Sequence, residues 1–86
     1  MSYFKNKKIT VTGGAGFLAT HFITELHKLG ADITTHTYNS PLQVSEEIQK
    51  DITILKNIDL NNIDDAITLT KGSDLVIHCA GHVLHP

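Results

Sequence analysis

Ile9-Thr10-Val11-Thr12-Gly13-Gly14-Ala15-Gly16-Phe17-Leu18-Ala19, or ITVTGGAGFLA, is the stretch that decides how the rest of the chain folds. Its first four residues are all β-branched and read as a buried strand. That strand runs directly into Gly13, Gly14 and Gly16. Beyond them apolar residues recur at helical spacing, with Leu18, Phe22, Leu26 and Leu29 on one side and Ile23 beside them. Strand, glycine turn and helix, in that order, is the context that gives such a motif physical meaning. Glycines let the chain turn tightly and let a phosphate approach the backbone. The unpaired N–H groups at the start of the helix face that phosphate, and the helix dipole adds roughly 0.3–1 kcal/mol in favour of negative charge. The stretch therefore points to dinucleotide binding by Gly13, Gly14, Ala15, Gly16, Phe17 and Leu18. It is silent on the reaction.

Composition narrows the class. The 86 residues make one small domain at most. A chain of this size buries only about 60–65% of its unfolded surface, so its stability is modest. A hydrophobic content of 41% with 19% charged residues fits a globular protein and argues against disorder. The net charge is −2, with seven lysines and no arginine, a poor electrostatic footprint for nucleic acid. Cys79 is the single cysteine, which excludes an internal disulfide and suits a reducing cytoplasm. The opening MSYFKNKK is basic and leads into a short apolar run, so it reads as neither signal peptide nor membrane anchor.

Along the chain, residues 1–8 read as an exposed, basic lead-in. Residues 8–12 form the first strand and residues 16–29 the first helix, with Gly30 where a C-terminal glycine cap belongs. Residues 33–36, Ile-Thr-Thr-His, read as a second strand, more polar than a fully buried one usually is. Residues 37–42 are a loop by their Asn, Ser and Pro. Residues 44–51 suit a short helix and residues 52–55 a third strand. Asn62 is a natural N-cap for a helix over residues 63–70, with Asp64 and Asp65 in its first turn and Ile63, Ala66, Ile67 and Thr70 on its buried side. Lys71-Gly72 closes that helix. Residues 74–78 form a fourth strand whose continuous apolar centre suggests burial on both faces. Alternating strands and helices with short links imply βαβ units on a parallel sheet. The expected fold is α/β, a partial Rossmann (doubly wound) fold with about four parallel strands in the order 3-2-1-4.

Thr12-Gly13-Gly14-Ala15-Gly16-Phe17-Leu18-Ala19-Thr20-His21 closely resembles the TGGAGFIGSH signature of the extended short-chain dehydrogenases/reductases, the NAD-dependent epimerase/dehydratase group, which often acts on nucleotide sugars. Ile58-Asp59-Leu60 resembles the family's Asp-Leu after the third strand, and the resemblance implies adenine contact by Asp59 and Leu60. Asp74-Leu75-Val76-Ile77-His78-Cys79-Ala80-Gly81 resembles its D-x-V-I-H-x-A-A/G segment, which implies Cys79, Ala80 and Gly81 beside the nicotinamide ribose. The likeness runs from Lys8 to about Gly81, and its three ordered motifs specify the family far better than the substrate.

The sequence departs from the family pattern at two places, of which the second carries the weight. The family's third glycine is Ala19 here, and a methyl group is commonly tolerated at that helix–strand contact. An NAD-selective site usually places Asp or Glu about 20 residues after the glycines, on the ribose hydroxyls. The matching position here lies near Thr37, within His36-Thr37-Tyr38-Asn39-Ser40, and no acid occurs between Asp32 and Glu46. No Lys or Arg lies there to hold a 2′-phosphate either. Thr37, Tyr38, Asn39 and Ser40 suit NAD or NADP, and losing the acid removes repulsion of a phosphate, which tips the balance slightly to NADP.

The family's catalytic Tyr-x-x-x-Lys pair normally lies well past residue 86. Residues 1–86 thus look like the N-terminal half of an NAD(P)-binding domain, without catalytic or substrate regions. Tyr3-Phe4-Lys5-Asn6-Lys7 spells the same pattern, but it precedes the first strand and reads as chance. His21 suits packing or capping. His78, His82 and His85 beside Cys79 do not follow a zinc-ligand spacing, so no metal site is expected. Cys79 reads as a small buried residue. The implied activity is that of an NAD(P)-dependent oxidoreductase, epimerase or dehydratase. The alternatives are a non-catalytic nucleotide-binding or interaction module, or a truncated product without independent activity. The apolar fourth strand, lacking an outer neighbour, also suggests self-association through its edge. Neither a nucleic acid nor a membrane is expected as partner.

Overall fold

The computed structural model describes residues 3–13, 15–38 and 40–79. Its elements follow in the order β1 (Lys8–Thr12), α1 (Phe17–Lys28), β2 (Asp32–His36), α2 (Glu46–Gln49), β3 (Thr53–Leu55), α3 (Ile63–Thr70) and β4 (Leu75–His78). All strand pairs are parallel, and the sheet runs β3-β2-β1-β4, the expected doubly wound order. β1 lies at the centre because it is apolar or hydroxyl-bearing on both faces. Ile9, Thr10, Val11 and Thr12 are all buried.

The two faces are covered by different helices. Ile9, Val11 and Ile33 pack with Ala19, Ile23 and Leu26 of α1 and with Val44 before α2. On the opposite face Thr10 Oγ1 donates to the carbonyl of Leu69 on α3, and Leu69 is itself buried. β2 tolerates its polar composition because its buried hydroxyl finds a backbone partner: the fully buried Thr35 Oγ1 donates to Val11 O at 2.7 Å.

Both long helices are rotated from the facing their periodicity suggests, so that Ile23 and Leu26 in α1 are buried and Ala66 and Thr70 in α3 half-buried as expected, while the other large apolar residues of the expected side turn outward or are only half-buried. In α1 the buried line is Ala19, Ile23 and Leu26, whereas Leu18 and Leu29 are exposed and Phe22 is half-buried. The small Ala19 lets the helix sit directly on the strands, and that contact, rather than side-chain size, sets its rotation. In α3, Ile63 and Ile67 are 74% and 57% exposed, against 2% for Leu69. The Asp59 N–H donates to Asp65 Oδ2 at 3.0 Å, which ties Asp65 to the β3–α3 connection. The Asp65–Leu69 line therefore faces the protein, and the Ile63–Ile67 line, two residues and about half a turn away, faces outward.

Asn62 caps α3 as expected: its Oδ1 accepts from Asp65 N–H at 3.1 Å. Asn62→Ala removes that acceptor and is expected to lower stability by about 1 kcal/mol. Urea unfolding followed by circular dichroism measures it, and an unchanged midpoint would show the cap to be idle. α2 is shorter than expected, capped by Ser45, and β3 begins at Thr53. The lead-in is held rather than loose: Asn6 N–H donates to Gly30 O at 2.9 Å, and Phe4 packs on the core. β4 is less buried than its sequence suggests, with Leu75 and Val76 exposed, because it pairs only with β1 among the described residues. None of the helices among the described residues is long and apolar enough to cross a membrane.

Candidate functional site

The carboxyl ends of β2, β1 and β4 bring three polar side chains into one row. Thr12 is in register with His78. Continuing the Thr10–Thr34 register by two residues sets Thr12 beside His36. The three share the sheet face covered by α3. The Thr12 hydroxyl accepts from Cys79 N–H at 2.8 Å and lies 2.8 Å from His78 Nδ1, so it fixes the point where the chain leaves β4.

His36 is 6% exposed, and its Nε2 accepts the Gly13 N–H at 2.8 Å. An amide N–H can only donate, so Nε2 carries no proton, and neutral His36 is the Nδ1–H tautomer. Nδ1 is buried with no hydrogen-bond partner among the described residues. Burial holds the His36 pKa below its ordinary value; the Ile58 backbone opposes this and the charge of His78 adds to it. The unfolded chain takes up this proton more readily. Stability contributed by His36 is thus complete above the unfolded value of 6.5 and declines as pH falls below it.

The glycine turn begins at Gly13, whose φ of +74° is a conformation that β-carbon sterics make costly for other residues. The Gly16 N–H donates back to Gly13 O at 2.9 Å and closes the turn. Thr20 N–H to Gly16 O, 3.0 Å, is the first bond of the helix. The N–H groups of Phe17, Leu18 and Ala19 precede it in the first turn, where a helix leaves its donors without intrahelical acceptors. Gly16 supplies no side-chain cap and the first turn holds no acid, whereas α2 and α3 have both. A β-carbon at Gly16 would stand 3.3 Å from Gly13 O, so the turn is a cradle that any side chain would crowd. These features fit a pyrophosphate. They also narrow its donors, since the N–H groups of Gly13 and Gly16 are spent within the protein. Ala15 is half-buried and Phe17 and Leu18 are exposed, while Gly14 lies outside the described residues.

Among the described residues, the other sequence-predicted ones follow the carboxyl ends of β2, β3 and β4. Thr37 follows β2 with its backbone pinned: its N–H donates to Leu55 O at 3.0 Å and its carbonyl accepts from Ile58 N–H at 3.1 Å. That second bond draws the Asp59–Leu60 segment toward the end of β2. Asp59 is half-buried, and its Oδ1 accepts from Asn61 N–H at 2.9 Å, an Asx turn that orients the carboxylate. Tyr38 and Ser40 are exposed. Cys79 follows β4, half-buried rather than fully enclosed, and burial pushes its thiol pKa up. Asn39, Ala80 and Gly81 lie outside the described residues.

Tyr3 and Lys7 stand before β1, at the opposite end of that strand from the glycine turn. They meet as a cation and a ring, with Lys7 Nζ 5.0 Å from the Tyr3 centroid. His21 is exposed and packs edge-on to Phe22 rather than capping α1. His82 and His85 lie outside the described residues, and among those described no three metal-ligating side chains gather. His36 lies in no motif that marks it as a site residue. Its one local signal was an imidazole ending a strand that the fold buries.

Residues 9–86 match the model of the NAD dependent epimerase/dehydratase family. Among curated proteins the chain is 34% identical over 87 residues to the bifunctional UDP-glucose 4-epimerase and UDP-xylose 4-epimerase 1 of Pisum sativum, covering 88% of this chain and 25% of that protein. It is 31% identical over 83 residues to the ketoreductase azaE of Aspergillus niger, covering 86% of this chain and 25% of that one. Epimerase Mth375 of Methanothermobacter thermautotrophicus superposes with a TM-score of 0.76 at 25% identity, over 92% of this chain and 24% of that structure. The chain thus spans about a quarter of the length of the curated relatives it matches. The family model covers nearly all of the chain, from β1 onward, and on that ground the chain belongs to the NAD dependent epimerase/dehydratase family.

Proposed function

We propose that this chain is the dinucleotide-binding portion of an NAD(P)-dependent oxidoreductase, epimerase or dehydratase. The observation that carries the reading is the turn from Gly13 into the uncapped start of α1, set at the carboxyl end of a central parallel strand. The first-turn amides hold the pyrophosphate. Residues 37–40 meet the adenosine ribose, Asp59 and Leu60 the adenine, and residues 79–81 the nicotinamide ribose. The cofactor supplies hydride transfer to or from a carbon bearing oxygen. A ketoreductase and a UDP-sugar epimerase among the relatives share that carbon chemistry, and a nucleotide sugar is the substrate we favour. The reactive Tyr-x-x-x-Lys region belongs beyond residue 86, by resemblance to the family. The absence of an acid between Asp32 and Glu46 favours NADP slightly over NAD. A single cysteine fits action in a reducing cytoplasm.

Titration of the ¹⁵N-labelled chain with ADP-ribose, NADPH and NADH tests this. All three are expected to shift the amides of Phe17 and Leu18, with NADPH at least equal to NADH. Amides that stay unmoved at millimolar ligand, a regime that detects binding of only about −4 kcal/mol, would remove the reading.

A further inference from the structure

We propose that His36 is the positioning residue of the glycine turn, holding Gly13 N–H on its unprotonated Nε2 and thereby setting the direction in which the first-turn amides of α1 point. The bond joins the ends of two strands across the sheet, 2.8 Å long, between the buried His36 ring and the half-buried Gly13. Gly13 is the residue at which the chain leaves β1, with a φ of +74°. Its carbonyl in turn accepts from Gly16 N–H, and the Gly16 carbonyl accepts from Thr20 N–H and from Thr20 Oγ1 at 2.8 Å. A continuous chain of bonds therefore runs from the His36 ring through the turn into α1. Rotation of the Gly13 peptide would shift every later link in it.

This role depends on a neutral ring. A protonated Nε2 would oppose one N–H to another and release the turn. The surroundings keep the ring neutral. On the β4 side the titratable neighbour is His78, whose charge opposes a second one. Thr12 at the end of β1 is uncharged. On the connection whose Ile58 backbone acts on the ring, the ionisable groups are the exposed Lys56 and the half-buried Asp59, the latter accepting from Asn61 N–H. On α3, which covers this face of the sheet, the ionisable groups are the exposed Asp64 and the half-buried Asp65, whose Oδ2 accepts from Asp59 N–H.

Two independent measurements test the assignment. The first needs no ligand. A scalar coupling across the N–H···N bond between Gly13 and His36 Nε2 is expected at pH 7.5, and it should vanish as acid titrates His36 below the ordinary imidazole range. A His36 ring protonated at Nε2 at pH 7.5 would overturn the proposal. The second compares His36→Gln, whose side-chain oxygen reaches the place of Nε2, with His36→Leu, which offers no acceptor. His36→Leu is expected to move the Phe17 and Leu18 amide resonances and weaken ADP-ribose binding about tenfold, the effect of one lost hydrogen bond to a part-buried donor. His36→Gln should keep both near wild type. Equal affinities for the two variants would overturn the positioning role even if both fold normally. This second measurement rests on the dinucleotide reading. Wild-type protein that binds no ADP-ribose yet shows the coupling would remove that reading and leave the His36–Gly13 bond standing, whereas a missing coupling in protein that binds ADP-ribose removes only the His36 role. If His36→Leu does not fold, the wild-type coupling and the His36→Gln affinity decide.

Discussion

Gly16→Val is expected to weaken ADP-ribose binding by about a hundredfold while the sheet stays folded. Gly16 has an extended backbone, φ −84° and ψ 162°, that any residue adopts, so the requirement for glycine is one of space. The first carbon of a side chain would stand 3.3 Å from Gly13 O, and the two methyls of valine would press further on a carbonyl that Gly16 N–H itself needs at 2.9 Å. Opening that bond re-aims the Phe17 and Leu18 amides together. A hydrogen bond to a charged group contributes about 1.5–3 kcal/mol, and the loss or misalignment of two accounts for the factor. The cost to stability is smaller, about 1 kcal/mol, because glycine is a fair N-cap and valine a poor one. Calorimetric titration of both proteins, with thermal unfolding as the control, separates the two effects. Equal affinities would show that the turn does not hold the pyrophosphate.

The parts of this site that were legible in the sequence are those encoded within a few residues. The β-branched run before the glycines, the Asn62 cap with its acids and the glycines themselves carry their physics locally. Strand order followed from the alternation of elements, because a parallel sheet needs crossovers and short links leave few arrangements. The facing of the helices was not legible. In α1 the line through Leu18, Phe22 and Leu29 is as apolar as the line through Ala19, Ile23 and Leu26, and only the closeness allowed by Ala19 selects between them. In α3 the Asp59–Asp65 bond makes the selection, and neither residue advertises it. His36 was illegible for a related reason. Its partner is an N–H 23 residues earlier, just past the end of another strand, and no spacing rule links an imidazole to a peptide across a sheet. The same bond qualifies the reading of the glycine motif. The sequence offered every turn amide as a phosphate donor, and the fold withdraws two of them for its own closure.

The second large effect expected is a change in assembly. The 86-residue chain should sediment as a dimer at tens of micromolar, and Val76→Lys should return it to a monomer. β4 gives its inner edge to β1, and among the described residues nothing pairs with its outer edge. Leu75 is 38% and Val76 43% exposed on that strand. Unpaired peptide groups next to apolar side chains form a template for another strand. A two-fold axis beside β4 would join the two sheets of four strands with β4 antiparallel to its copy, closing the assembly at two chains. A lysine at position 76 opposes this because its charge would have to be buried in the joint, a device by which natural edge strands stay single. The competing cover is the segment over residues 80–86, which lies outside the described residues. Sedimentation velocity with hydrogen exchange distinguishes the two. Concentration-dependent protection of the β4 amides supports the dimer, and a monomer whose β4 amides are protected at every concentration assigns the edge to that segment instead.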